Sequence, residues 1–344
     1  MNRIKLGVTR RKGEAMFDKY RRVVDYLRIS VTDRCNFRCR YCMPPQGKSL
    51  HDADESLTYE ELLRIIRILG QHGVNKIRLT GGEPLVRRGI VEFIHNIRQI
   101  NTIKDLAMTT NGSLLGKNRM AERLKQAGLD RVNISIDTVD SADFADITGR
   151  GNLDDVLLGL KSALLAGFKP VKINVVVTEK LSDHDIAYFI AQVYQYSVAI
   201  RFIEYMPLGP TPISPGKSIL MVKQMIEQAS SRMLQSEVVM YGNGPARYYR
   251  LPKAKGVFGF ITPMSDHFCH KCNRLRLTDD GKLKPCLLSN QEVDIKAALR
   301  NGCTDQNIYE FCRQALQNKG LKHQLDYNTS EKFSVTRPMF QVGG

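Results

Sequence analysis

Six short runs rich in β-branched and apolar residues recur along the first 206 positions of the chain. They are LRISVT (27–32), KIRLTG (76–81), DLAMTT (105–110), RVNISID (131–137), VKINVVV (171–177) and VAIRFIEYM (198–206). Between them lie segments such as YEELLRIIRILGQHG and NLDDVLLGLKSALLAGF, whose apolar residues fall at three- and four-residue spacing and which end near glycine. Period-two runs alternating with period-3.6 runs predict strands and amphipathic helices. Repeated strand–helix units predict parallel strands joined by right-handed crossovers.

Folds of this class bind ligands at the carboxyl ends of their strands. The residues at those ends are unusual here. The first strand runs into TDRCNFRCRYCMPP, with three cysteines in eight positions, the second into GGEP (Gly81 to Pro84) and the third into TTNG (Thr109 to Gly112). The fourth ends in SID (Ser135 to Asp137), the fifth carries Lys172 and Asn174, and the sixth ends in Glu204 and Met206. Glycine, polar and sulfur residues therefore gather on one rim, and their joint placement predicts a site there.

Beyond Pro207 the pattern breaks. PLGPTPISPGKS ends in Gly216-Lys217-Ser218 like a phosphate-binding loop, but six residues separate its glycines and its prolines remove amides that a phosphate would need. It reads as a linker. SEVVMYG, RYYRLP and GVFGFITP then predict a small irregular sheet, and Asp280-Gly281 predicts a hairpin turn. That hairpin would carry Cys286 back towards Cys269 and Cys272. The boundaries expected are a basic arm over 1–17, a core over 18–206, a linker over 207–218, a second domain over 219–336 and a tail over 337–344.

Composition narrows the function classes. A chain of 344 residues with 42% hydrophobic content can bury a large core. No run of 18 apolar residues and no secretory stretch appear, so a cytoplasmic location with no membrane contact is expected. A reducing compartment turns clustered cysteines from disulfide candidates into metal or cluster candidates. The net charge of +16, of which +6 falls in the first 22 residues, calls for polyanionic partners. No aromatic-basic signature of an RNA-binding module accompanies it, and no nucleic-acid partner is expected. Cys303 and Cys312 stand alone on helical patterns and read as core.

Cys35, Cys39 and Cys42 have the form C-x3-C-x2-C. Structural zinc takes four protein ligands, whereas a [4Fe-4S] cluster held by three thiolates leaves one iron open to a small molecule. CNFRCRYC after a strand, with GGEP after the next, resembles the radical S-adenosylmethionine superfamily. LRISVTDRCNFRCRYCMP, TGGEPLVR, TTNG, the CxxCNRLRLT stretch with DGKLKPCL, and the last two residues, Gly343-Gly344, together resemble the family of GTP 3′,8-cyclases. The resemblance spans about Asp18 to the last residue.

The resemblance implies an incomplete (β/α)6 TIM-type barrel with a C-terminal α+β extension covering the barrel mouth. It implies two [4Fe-4S] clusters, the first on Cys35, Cys39 and Cys42 and the second on Cys269, Cys272 and Cys286. S-adenosylmethionine would be contacted by Tyr41, Gly82, Ser135 and Met206, with Glu83 serving either its ammonium or the start of a helix. GTP would be held by Arg28, Arg78, Thr109, Lys172, Arg274, the backbone of Leu275, and Arg276. Arg274 and Arg276 lie two apart on a strand and so share a face, as paired guanidinium forks for a triphosphate would. Gly343 and Gly344 would enter the active-site cavity and, with those two arginines, support the reaction. The implied reaction removes the ribose 3′ hydrogen, joins C3′ to guanine C8 and yields (8S)-3′,8-cyclo-7,8-dihydro-GTP, opening molybdenum cofactor biosynthesis. A flavodoxin-like or ferredoxin-like electron donor, a downstream cyclic pyranopterin monophosphate synthase and a homodimer complete the expected partners. Two rivals remain: a two-cluster radical enzyme acting on a peptide, and an RNA-binding protein with two zinc sites, His267 or His270 completing a Cys3His set.

Overall fold

The computed structural model describes residues 15–44, 55–208, 216–237, 244–323 and 337–343. Among these, the six expected strands all form: β1 (Tyr26–Ser30), β2 (Lys76–Thr80), β3 (Asp105–Thr110), β4 (Arg131–Ser135), β5 (Val171–Val177) and β6 (Val198–Glu204). They pair in sequence order, all parallel. The helices between them are α1 (Tyr59–Gln71), α2 (Ile90–Arg98), α3 (Met120–Gln126), α4 (Ser141–Thr148), α5 (Leu153–Leu165) and α6 (Asp183–Gln195); α1, α4, α5 and α6 begin at side-chain caps, whereas α2 and α3 begin at Gly89 and Arg119 without one. Thr58 with Glu61 and Ser182 with Asp185 form reciprocal capping boxes at α1 and α6.

The C-terminal strands do not build the separate small sheet expected from their sequence. β7 (Gln235–Glu237), β8 (Arg247–Arg250) and β9 (Val257–Ile261) follow α7 (Ile219–Ser230), and β9 pairs parallel to β6. The next strand, β10 (Arg274–Leu277), pairs parallel to β1 at the opposite edge, followed by β11 (Lys282–Lys284) and β12 (Val293–Asp294). The result is one twelve-stranded open sheet, β12-β11-β10-β1-β2-β3-β4-β5-β6-β9-β8-β7, a partial TIM barrel extended at both edges. Parallel edges such as β1 and β6 offer unpaired amides and carbonyls, which is why the small sheet is absorbed instead of standing apart. Consecutive strands β9 and β10 thus sit on opposite flanks of the six-stranded core, and residues 262–273 bridge them.

After β12 come α8 (Lys296–Arg300), α9 (Asp305–Gln317) and α10 (Met339–Val342). Cys312 on α9 is fully buried, as expected, whereas Cys303 lies in the loop before the Thr304 cap and is only half-buried. Towards the N-terminus, Met16 is buried and Phe17 bridges to Val23, so packed chain reaches back into the segment read as an arm. Most of that arm and of the 207–218 linker lies outside the described residues.

Candidate active site

Strand alternation sorts the barrel residues into two layers. Leu27, Ile29, Ile77, Leu79, Val132, Ile134, Ile173 and Leu275 face the helices and belong to the main apolar core. The opposite parity carries Tyr26, Arg28, Arg78, Thr109, Asn133, Ser135, Lys172, Asn174, Arg201, Arg274 and Arg276. Register brings these together: Arg276 lies beside Arg28 and Arg28 beside Arg78, while Thr109, Asn133 and Lys172 form a second row. Arg28, Arg78, Lys172, Arg201 and Arg276 are all buried. The side chain of Leu275 points away from this interior, so only its main chain can serve the role expected of it.

Such an arrangement is costly by itself, because buried cations lose hydration and repel one another. Burial, then the guanidinium groups of Arg201, Arg131 and Arg78, pushes Lys172 down to about 6. Burial drives Arg201 down to about 10, and burial with Arg274 does the same to Arg276. Burial and Arg276 hold Arg28 well below its usual range. Nε of Arg78, Arg201 and Arg274, Oγ1 of Thr80 and Oδ1 of Asn133 are buried without a hydrogen-bond partner. Orphaned donors and mutually repelling cations around one interior fit a polyanionic ligand with several acceptor oxygens.

The first three-cysteine loop docks on the end of β2. Gly82 N–H donates to the Thr32 carbonyl (2.7 Å) and Glu83 N–H to that of Arg34 (2.8 Å). A Cβ on Gly82 would overlap the Arg34 carbonyl, so glycine is required for this close backbone approach. The Glu83 carboxylate accepts from Thr110 Oγ1 (2.7 Å) and from the amides of Asn111 (2.7 Å) and Leu85 (3.0 Å), joining the ends of β2 and β3. Of its two expected roles, the structural one is occupied. Burial pushes the Cys35 thiol up to about 11 and Cys42 up to about 12, and burial with its two neighbours raises Cys39 well above its ordinary value. Three thiolates held together here would need a positive centre to neutralise them. Tyr41 donates to Asp137 Oδ2 (2.6 Å), whose other oxygen accepts from Val176 N–H (2.8 Å), fixing the loop to the ends of β4 and β5. Ser135 and Met206 are half-buried at the ends of β4 and β6, and Thr109 accepts from Asn133 Nδ2 (3.3 Å).

Cys269 and Cys272 lie on the bridge between β9 and β10, and Cys286 follows β11, as the hairpin at Asp280-Gly281 predicts. The Cys269 thiol is raised by burial and by Cys286 and Cys272, which places the three sulfurs in one electrostatic neighbourhood. Burial opposes ionisation of Cys272, but Lys319 and Arg274 outweigh it and bring the thiol down to about 7. His267 Nδ1 is bound to the Pro263 carbonyl (2.8 Å) and its ring packs edge-on against His323. Among the described residues no three His, Cys, Asp or Glu side chains converge on a point suited to a single metal ion.

The tail reaches both regions. Phe340 N–H is directed at the Cys42 sulfur, and Arg276 Nη1 donates to the Gly343 carbonyl. Gly343 has φ +73° and a Cβ on it would overlap Thr80 Oγ1. Gly344 lies outside the described residues. A surface groove of about 730 Å³, lined in part by Leu85, Arg88, His95 and Arg123, includes none of the expected site residues.

Sequence reasoning gave no role to Arg201, Asn133 or Lys319, and named Asp137 only as part of the rim. Arg201 had a signal, being a charge in the middle of an otherwise apolar run, at the parity opposite to the core residues. Lys319 had none, since it stands in a polar stretch after a helix.

Two family models match consecutive parts of the chain: the radical SAM superfamily over residues 29–193 and Molybdenum Cofactor Synthesis C over 198–325. A protein of Heliobacterium modesticaldum named GTP 3′,8-cyclase is 44% identical over 96% of this chain and all of its own length. One of Thermodesulfovibrio yellowstonii with the same name is 45% identical over the same shares. This chain belongs to the GTP 3′,8-cyclase family. Within the radical SAM superfamily, that membership carries a [4Fe-4S] cluster and S-adenosylmethionine, and the C-x3-C-x2-C loop of this GTP 3′,8-cyclase family member is the set of thiols that fits the cluster. Among solved structures, Streptococcus suis SuiB bound to precursor peptide SuiA matches with a TM-score of 0.65 at 16% identity, over 87% of this chain and 68% of that one. SuiB bound to S-adenosylmethionine matches with a TM-score of 0.59 at 18% identity, over 78% and 62%. These likenesses bear on the fold alone.

Proposed function

We propose that this protein is a lyase that cyclises GTP to (8S)-3′,8-cyclo-7,8-dihydro-GTP, the first step of molybdenum cofactor biosynthesis. The observation that carries the reading is the buried ring of Arg28, Arg78, Lys172, Arg201 and Arg276, together with the unsatisfied Nε donors of Arg78, Arg201 and Arg274, inside a barrel whose rim carries the cysteines. A triphosphate satisfies that ring; a peptide substrate gives it no comparable charge.

Cys35, Cys39 and Cys42 hold the first cluster, and Cys269, Cys272 and Cys286 hold a second. When bound, the first cluster and S-adenosylmethionine would supply the radical chemistry that activates the ribose 3′ position. The chain's own groups bind and orient. Tyr41, Gly82, Ser135 and Met206 frame the S-adenosylmethionine region, and Asp137 fixes Tyr41 within it. Arg28, Arg78, Thr109, Lys172, Arg274, the main chain of Leu275, and Arg276 hold the nucleotide. Gly343, gripped by Arg276, lies beside the nucleotide, and Gly344 supports the reaction with it. A flavodoxin-like or ferredoxin-like donor supplies electrons, which the net charge of +16 suits if the donor is acidic. The product passes to a cyclic pyranopterin monophosphate synthase, and the enzyme works as a cytoplasmic homodimer.

Anaerobic reconstitution followed by GTP, S-adenosylmethionine and dithionite tests the reading. It expects about eight irons per chain, from two four-iron clusters, together with 5′-deoxyadenosine and a cyclised nucleotide. Deoxyadenosine without any change in GTP would overturn it.

Lys172 adds a pH dependence. With its ammonium destabilised down to about 6, the free protein at neutral pH holds it mostly as the amine. A neighbouring triphosphate favours the charged form, so binding takes up a proton. GTP affinity should therefore fall as pH rises above about 6, by up to roughly tenfold per unit. Calorimetry in buffers of different ionisation enthalpy reads the proton uptake. Lys172→Met should abolish that component, and an unchanged uptake would exclude Lys172 as its source.

A further inference from the structure

We propose that Lys319 is a positioning residue of the second three-cysteine site, stapling together the two strand ends that carry Cys272 and Cys286 and fixing a positive charge beside the Cys272 sulfur. The inference rests on the two-cluster reading above. Lys319 is only 2% exposed although it follows α9 among exposed neighbours, and Leu321 two positions on is 54% exposed. Lysines in such places ordinarily extend their ammonium into water. Here Nζ turns inward and donates to the carbonyls of Arg274 (2.7 Å) and Pro285 (2.7 Å). Arg274 stands two residues after Cys272, and Pro285 immediately precedes Cys286. One ammonium thus ties β10 to the end of β11 at the level of the cysteines, and it also bonds the Cys272 sulfur.

Neighbouring groups complete the same clasp. Arg22, held by Asp18, donates to the carbonyls of Cys269 (2.7 Å), Gly320 (2.7 Å) and Leu321 (3.1 Å). The His323 amide is directed at the Cys269 sulfur, and its Nε2 meets the Pro263 carbonyl (2.9 Å). Residues 319–323 therefore touch the segments bearing all three cysteines. Two neutral carbonyls do not require a full charge, and burying one among them is unfavourable. Three thiolates do require it. A fixed cation beside them favours the more negative, reduced state of whatever they bind, so it should raise the site's reduction potential.

The test uses the full chain carrying Cys35→Ala, Cys39→Ala and Cys42→Ala, so that the second site alone reports, with near-ultraviolet circular dichroism to verify the fold. Into it are placed Lys319→Met and Lys319→Arg, and iron content and the midpoint potential are measured. Lys319→Met should disfavour reduction roughly tenfold, a shift of about 59 mV to more negative potential for one electron. Lys319→Arg keeps the charge and should restore the parent value. A Lys319→Met protein with full iron and an unshifted potential overturns the proposal, as does Lys319→Arg behaving like Lys319→Met. Should Lys319→Met not fold, Lys319→Gln, which keeps a donor but loses the charge, is read by the same potential. A native chain that binds only four irons would instead refute the two-cluster reading itself.

Discussion

Gly343→Ala is expected to cut formation of cyclised nucleotide roughly a hundredfold, with both clusters and S-adenosylmethionine binding preserved. The residue occupies left-handed space at φ +73°, where an L side chain costs about 1–2 kcal/mol, and its added Cβ would overlap Thr80 Oγ1. Neither penalty can be relieved without moving the carbonyl that Arg276 grips. Displacing a positioning element by about 1 Å is enough for a loss of roughly 10²-fold. Iron content and melting temperature should stay close to native, since only the short α10 and its attachment are disturbed. Cyclisation at the native rate by this variant would remove the tail from the site. The companion Thr80→Gly, which empties the space a Cβ would need, should return part of the lost activity to Gly343→Ala.

Arg274→Ala with Arg276→Ala should weaken GTP binding by about 3–6 kcal/mol, from roughly 1.5–3 kcal/mol for each charge-assisted contact, equivalent to between about 10² and 10⁴ in affinity. The two arginines share one strand face, so the sum is an upper value. Stability of the nucleotide-free protein should move the other way or not at all. Burial and Arg274 already work against the Arg276 charge, so deleting both cations relieves repulsion inside the barrel. A melting temperature that holds or rises while GTP affinity collapses would mark these as groups kept for the ligand. Parallel losses of stability and affinity would mark them as structural.

The barrel was legible because its six strands carry apolar residues at one parity and its helices an apolar stripe, and local pattern reports both. Its rim was legible for the same reason: Cys35 to Cys42, Gly82 and Ser135 sit where a strand visibly stops. What local pattern could not report is partnership between distant segments. RYYRLP and GVFGFITP pair with each other, as β8 and β9, but their sequences look the same whether or not the second also joins β6, and only the unpaired edge of the barrel decides that. Leu275 was named for its main chain, and parity agrees with that choice, since its side chain turns to the apolar core. Lys319 was invisible because its importance lies in two carbonyls, at Arg274 and Pro285, that no sequence spacing connects to it.

The placement of β9 and β10 on opposite flanks has a consequence for the chain as it is made. Strand β1 is complete within the first 30 residues, but the partner for its outer edge, β10, follows about 250 residues later. At roughly 5–20 residues per second, that edge waits on the order of tens of seconds for its mate. Meanwhile it presents bare amides and carbonyls, the template on which nascent chains cross-pair. The same interval separates the two sets of cysteines. Release of a chain halted before residue 274 would therefore leave a half-built barrel with one sulfur site, an open edge and an unmatched ring of arginines, a species suited to chaperone capture and not to catalysis.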